Sequence, residues 1–165
     1  MIKQIRRGVF ETNSSSSHSI SVDSSGECKY DLCVEKGRVN APCGEFGWEE
    51  VSYNDSRTKL SYLVTALVST VRDYVDNSKK RLPFEELIKT SSHYNEYLQL
   101  CEVIKECCNA NLIVLPEIDG YQSLGYIDHA SIDVAFDNVL SKGHSIIRQF
   151  LFSDKSILYI DNDNH

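Results

Sequence analysis

Between positions 10 and 19 the chain reads Phe10-Glu11-Thr12-Asn13-Ser14-Ser15-Ser16-Ser17-His18-Ser19, with Arg7 just ahead. No packing rule asks for this run. Its chemistry is that of an anion site. Ser, Thr and Asn in a tight turn aim hydroxyls and backbone N–H groups into one concavity, and successive N–H groups can form a nest for a negative group. Arg7 at its rim supplies a bidentate clamp for phosphate or carboxylate. His18 can donate to the anion or move a proton, since its reference pKa is near neutrality. Arg7, Glu11, Thr12, Asn13, Ser14, Ser15 and Ser16 are therefore the candidate ligand-binding residues. The same composition also suits a turn satisfied by local Ser and Thr bonds, or a flexible linker.

Further polar groups lie far away in sequence. Asp128-His129 precedes a helical pattern, and with His18 forms the candidate catalytic set. Glu45 and Trp48, the only tryptophan, lie in the glycine-flanked run Gly44-Glu45-Phe46-Gly47-Trp48-Glu49 and join the ligand-binding set. A loop pinning an aromatic plug on the core accounts equally well for Trp48. Asp128 or Ser131 as a helix cap, with His129 a satisfied loop residue, accounts for Asp128-His129. A serine among Ser14–Ser17 can act as nucleophile with His18 as base and Asp128 orienting the ring, but no Gly-x-Ser-x-Gly elbow is present. Glu11, Glu45, Asp128, His129, Asp161 and Asp163 together have the ligand types of a divalent-metal hydrolase site. No metal ligand is assigned and the cofactor is left unknown.

The elements that position these groups follow from periodicity. Residues 2–10 and 18–23 alternate as strands. Pairing Val9 with His18 brings Ile5 opposite Val22 and Arg7 opposite Ile20, so both apolar faces coincide. Tyr30–Glu35 alternates as a third strand, and Lys36-Gly37 turns into another that Pro42 ends. Asp55-Ser56 starts a helix whose stripe is Leu60, Leu63, Leu67, Val71 and Tyr74, running to about Asn77. Pro83 opens a second, with Phe84, Leu87, Ile88, Tyr94, Leu98, Cys101, Ile104 and Cys108 as its stripe and a break at Ser91-Ser92. Leu112–Leu115 reads as a buried strand, 120–125 as a loop, 131–140 and 145–152 as helices, and 156–160 as a last strand. The order predicts one α+β domain over 1–165, with about four helices on one face of a mainly antiparallel sheet.

Composition narrows the classes. The chain has 165 residues, 41% of them apolar, which is enough for one core. A net charge of −7 argues against a general nucleic-acid binder, whose affinity rests on clustered Lys and Arg. No apolar run is long enough to cross a bilayer, and the basic residues near Met1 are not followed by an apolar block, so a cytoplasmic protein with no membrane contact is expected. Six cysteines lack zinc-knuckle spacing and read as reduced thiols, with Cys101 and Cys108 facing the core.

The strings 7–19, Gly44–Glu49, Gly125-Tyr126-Ile127-Asp128-His129 and Asp161-Asn162-Asp163-Asn164 together resemble a family of small uncharacterised phage and mobile-element proteins. The resemblance implies an origin rather than a mechanism: an accessory protein acting in counter-defence or host takeover. Two functions are carried forward. The first is binding of a host protein or an anionic, phosphate-bearing ligand through the serine-rich segment. The second is a hydrolase or transferase acting on a nucleotide or nucleic-acid phosphate, with or without metal. A shared location for Thr12–Ser17, Glu45, Asp128 and His129 favours catalysis; wide separation favours a binding surface.

Overall fold

The computed structural model describes residues 3–5, 16–47, 50–72, 82–118 and 121–162, with backbone alone at 3–5, 117, 118, 121–124, 129, 130 and 162. Its main sheet has four strands, all antiparallel. β1 (Lys3–Ile5) and β10 (Ile157–Asn162) flank β2 (Ser16–Val22), and β5 (Val51–Tyr53) pairs with the far side of β10. There are also two short parallel pairs: β3 (Arg38–Pro42) with β6 (Asn111–Leu115), and β4 (Glu45–Phe46) with β9 (Tyr126–Ile127). β7 (Glu117–Ile118) and β8 (Tyr121–Leu124) form a small hairpin. The fold is α+β.

Side-chain alternation sorts β2 into two faces. Ser16, His18 and Ile20 point inward and are buried, while Ser17, Ser19 and Ser21 are half-exposed. On β10 the buried partners are Leu158 and Ile160. The inner face meets α1 (Ser56–Ser69) through the His18–Tyr62 contact, and in that helix Leu60, Tyr62, Leu63, Val64, Ala66, Leu67 and Val68 are all buried. A helix apolar on nearly every side belongs at the centre of a domain. Asp55 starts it as expected, its carboxylate accepting the Thr58 amide at 2.7 Å. Other α-helices are α2 (Phe84–Ile88), α3 (Tyr94–Cys108), α4 (His129–Asn138) and α5 (His144–Phe152), and α4 and α5 lie against both β2 and α1.

Several expectations are corrected. β1 sets Ile5 opposite Ile20, not Val22, an even slip of two that keeps the pairing parity. The expected pairings of Arg7 and Val9 lie outside the described residues. Residues 30–34 are no strand: Leu32 is buried, but Tyr30 and Val34 are 43% and 42% exposed, and no neighbouring strand pairs with them among the described residues. Helix α1 ends at Ser69, where the Ser69 and Thr70 hydroxyls bond back to Thr65 and Leu67 carbonyls; Arg72 is helical again, and 73–77 of the expected helix lie outside the described residues. The buried stripe of α3 is Tyr97, Leu100, Val103 and Ile104. Leu98 is exposed, and Cys101, Cys107 and Cys108 are all half-buried against the core. The expected loop at 120–125 contains β8. All six cysteines are free thiols. No helix among the described residues is long and apolar enough to cross a membrane.

Candidate functional site

β2 begins at Ser16, so Ser16 and Ser17 belong to a strand and not to the loop assigned to them. The cause is β10, whose last residues Asp161 and Asn162 pair with Ser17 and Ser16. Ser16 is also where four distant stretches of the chain meet. The first provides Ser16 and His18. The second provides Gly47, the third Asp128, and the fourth Asn162.

The bonds around Ser16 form a closed set. Its backbone N–H donates to Asp128 Oδ2 at 3.1 Å. Its carbonyl accepts the Ser131 hydroxyl at 3.3 Å. Its own hydroxyl lies 3.1 Å from His18 Nε2. His18 Nδ1 lies 3.1 Å from the Tyr62 hydroxyl, which reaches the Ser131 carbonyl at 3.4 Å. Strand β2, helix α1 and the first turn of α4 are thus tied together by one polar knot. Ser16 and His18 are only 4% and 3% exposed, and Tyr62 and Ser131 are buried with them, while Asp128 at the edge is half-buried.

Burial sets its protonation. His18 is lowered from 6.5 to about 4 by desolvation, against an opposing pull from the Asp128 carboxylate. The imidazole is therefore neutral at pH 7 and carries one N–H. Burial pushes the Tyr62 phenol up, so it keeps its proton. If Tyr62 donates to the Ser131 carbonyl, Nδ1–H donates to Tyr62 and bare Nε2 accepts the Ser16 hydroxyl. The reverse order leaves the Ser16 proton without an acceptor inside the knot, so the first order is the satisfied one.

Glycine is required at two places nearby. Gly47 has φ +131°, and a Cβ there would lie 2.8 Å from Ser16 Oγ and 3.8 Å from His18 Nε2. Backbone therefore lies directly over the serine–histidine pair, where no side chain fits. At Gly125 a Cβ would lie 2.6 Å from both Cys43 Cβ and the Gly44 carbonyl. That contact brings the second and third stretches together. Tyr126 N–H donates to the Gly44 carbonyl at 2.8 Å, Gly44 N–H to Thr65 Oγ1 at 3.0 Å, and the Arg72 guanidinium to the Gly125 carbonyl. Phe46 from β4 packs edge-on against Tyr62, ring centroids 5.1 Å apart.

Two assigned roles change. Asp128 is at the N-cap position of α4, but its side chain makes no cap bond; it holds Ser16 instead. It does not hydrogen-bond the imidazole, and Tyr62 occupies the place given to it in the serine–histidine–aspartate reading. Tyr62 was hidden in the sequence by the apolar pattern of α1. The available signal was that a buried tyrosine hydroxyl needs a partner. Glu45 lies in β4 with its side chain exposed, outside the knot. His129 heads α4. Arg7, Glu11, Thr12, Asn13, Ser14, Ser15, Trp48 and Asp163 lie outside the described residues. Among the described residues no group of three or more His, Cys, Asp or Glu side chains is placed to hold a metal ion.

No protein-family model, curated protein or solved structure matches this chain.

Proposed function

We propose that this chain is a phage-type accessory protein, serving counter-defence or host takeover, that binds a phosphate-bearing ligand through the part of the serine-rich segment that precedes Ser16, residues 12–15. The buried knot at Ser16 is then the fixed base of that segment. One observation carries the reading: the amide, carbonyl and hydroxyl of Ser16 are each bonded to a different partner. The chain entering the core at Ser16 is therefore held in position and direction, which lowers the ordering cost of ligand capture by the residues before it. The likeness to phage and mobile-element proteins supplies the biological setting.

Calorimetric titration with ATP, GMP and inorganic phosphate tests the reading, beside a pull-down from bacterial lysate. Saturable heat that disappears in Arg7→Ala and Asn13→Ala supports it. Absence of heat with all three probes refutes the phosphate ligand, and a captured bacterial protein would then move the target to a host surface.

A second reading has its own observation, the 3.1 Å contact between Ser16 Oγ and His18 Nε2. A hydroxyl facing an unprotonated imidazole nitrogen is the nucleophile–base unit of a hydrolase or transferase. It ranks second because an imidazole with pKa about 4 is a weak base at neutral pH and the pair is buried. Turnover of a nucleotide that is abolished in Ser16→Ala, with folding intact, would reverse the order.

A further inference from the structure

Residues 30–42 form a hairpin that is split. Its turn is regular: Lys36 and Gly37 have φ +50° and +73°, and Glu35 and Arg38 exchange both backbone bonds, at 2.9 and 3.0 Å. Continued, that register would set Cys33 opposite Asn40 and Asp31 opposite Pro42. Neither pair forms among the described residues. Helix α1 holds the two arms apart instead. The Ser56 hydroxyl donates to Asp31 Oδ1 at 2.6 Å, and the Ser61 hydroxyl donates to the Pro42 carbonyl at 2.8 Å. These anchors lie about 7.5 Å apart along the helix axis, against about 4.5–5.5 Å between directly paired residues, so the open end is spread. A cleft of about 230 Å³ lies there, with Leu32, Val39, Ala41 and Leu60 as its apolar lining and Glu35 and Arg57 as its charges.

The β3 wall of the cleft has an unused edge. Asn111 N–H donates to the Gly37 carbonyl at 2.9 Å, and Cys43 N–H donates to the Leu115 carbonyl at 3.0 Å. In a parallel ladder alternate residues turn to the same neighbour, so Gly37, Val39, Ala41 and Cys43 face β6, while Arg38 and Asn40 face the cleft side. Arg38 spends its groups on Glu35. The N–H and C=O of Asn40 have no backbone partner among the described residues. We propose that the cleft takes up an extended peptide segment of a partner protein, which pairs with Asn40 as an added strand. An extended residue returns one C=O and one N–H to the two groups Asn40 offers, and the apolar lining receives the side chain that alternation turns inward. Charge adds a preference. Glu35 accepts from the Cys33 thiol at 4.0 Å, whereas Arg57 is exposed and has no partner among the described residues. Its guanidinium can clamp a carboxylate, so an acidic residue belongs in the bound segment. Because α1 already spreads the arms, no hairpin pairing is broken on binding, which lowers its cost. None of these residues belongs to the Ser16 knot, so the site is independent of the phosphate reading.

Amide NMR and hydrogen exchange on the full chain test this, with an end-capped pentapeptide Glu-Val-Thr-Val-Glu at up to about 5 mM as the probe. In the free protein the Asn40 amide should exchange about a hundredfold faster than the Val39 and Ala41 amides, which are bonded to β6. The peptide should shift the Asn40 amide saturably and slow its exchange. Methylating the three central amides of the peptide removes its main-chain donors and should weaken binding about tenfold or more. Arg57→Gln, a change at an exposed side chain, should weaken it about threefold, and Ser16→Ala should leave it unchanged. A slowly exchanging Asn40 amide in the free protein, no shift of that amide with the peptide, or equal affinity for the methylated peptide or in Arg57→Gln overturns the proposal.

Discussion

Acidification should unfold this protein partly through one imidazole. His18 is held near pKa 4 in the folded state, against 6.5 for the free side chain, because it is buried. As pH falls, the unfolded chain takes up the His18 proton first. Stability tied to this residue is therefore fully present above pH 6.5 and lost progressively between 6.5 and about 4. At about 1.36 kcal/mol per tenfold change in proton affinity, that loss is about 3 kcal/mol. Carboxylates titrate in the same range, so a reference variant is needed. His18→Gln removes the titrating group while keeping a polar side chain. It also weakens the bonds to Ser16 and Tyr62, at a pH-independent cost of about 1–3 kcal/mol. Urea unfolding of both proteins at several pH values between 7 and 4 gives the difference directly. The wild type should lose about 3 kcal/mol more than the variant over that range. Parallel stability curves, or an NMR midpoint for His18 near 6.5, would refute the buried neutral imidazole and the proton order derived from it.

Other expectations test the surrounding structure. Gly47→Ala combines a strained φ with a methyl group 2.8 Å from Ser16 Oγ, and should cost about 2–4 kcal/mol in chemical denaturation. Tyr62→Phe removes the hydroxyl joining His18 to the Ser131 carbonyl and should cost about 1–2 kcal/mol, with a change in the His18 ring resonances. Lys59 is fully buried, donating to the Ser153 and Ser156 carbonyls at 3.0 and 3.2 Å, and burial lowers it from 10.5 to about 8. Between those values the unfolded chain binds more protons, so stability rises with pH by about 3 kcal/mol from this residue. Lys59→Met should remove that rise in denaturant titrations at pH 7.5 and about 10.

What the sequence disclosed depended on range. Asp55 starting α1, the Ser91-Ser92 interruption between α2 and α3, and the apolar run of β6 are local signals, and the structure has them. Tyr30 to Glu35 alternates just as well, yet among the described residues only Glu35 makes a bridge, to Arg38, and 30–34 pair with no strand; alternation alone does not create a partner. The parallel pairing of β3 with β6 joins segments about seventy residues apart and left no local trace. The same holds at the site. His18 on the inner face of β2 followed from alternation. The Ser16–Asp128 bond spans 112 residues, and a capping position had a sufficient local explanation for the aspartate. Tyr62 was masked by a helix so apolar that one more aromatic residue looked like packing. The glycines at 47 and 125 show why small residues recur beside the polar ones: at Gly47 the backbone lies over the Ser16 and His18 side chains, at Gly125 it crosses the Gly44 backbone, and no side chain fits at either place.

Ser16, on the proposed function, anchors a segment that takes hold of phosphate. Amide NMR of the full chain during titration with GMP and with inorganic phosphate addresses it most directly. Saturable shifts of the residue 12–15 amides are expected, while the Ser16 amide stays strongly protected from hydrogen exchange throughout. Shifts confined to other parts of the chain, or rapid exchange at Ser16 in the free protein, would contradict it.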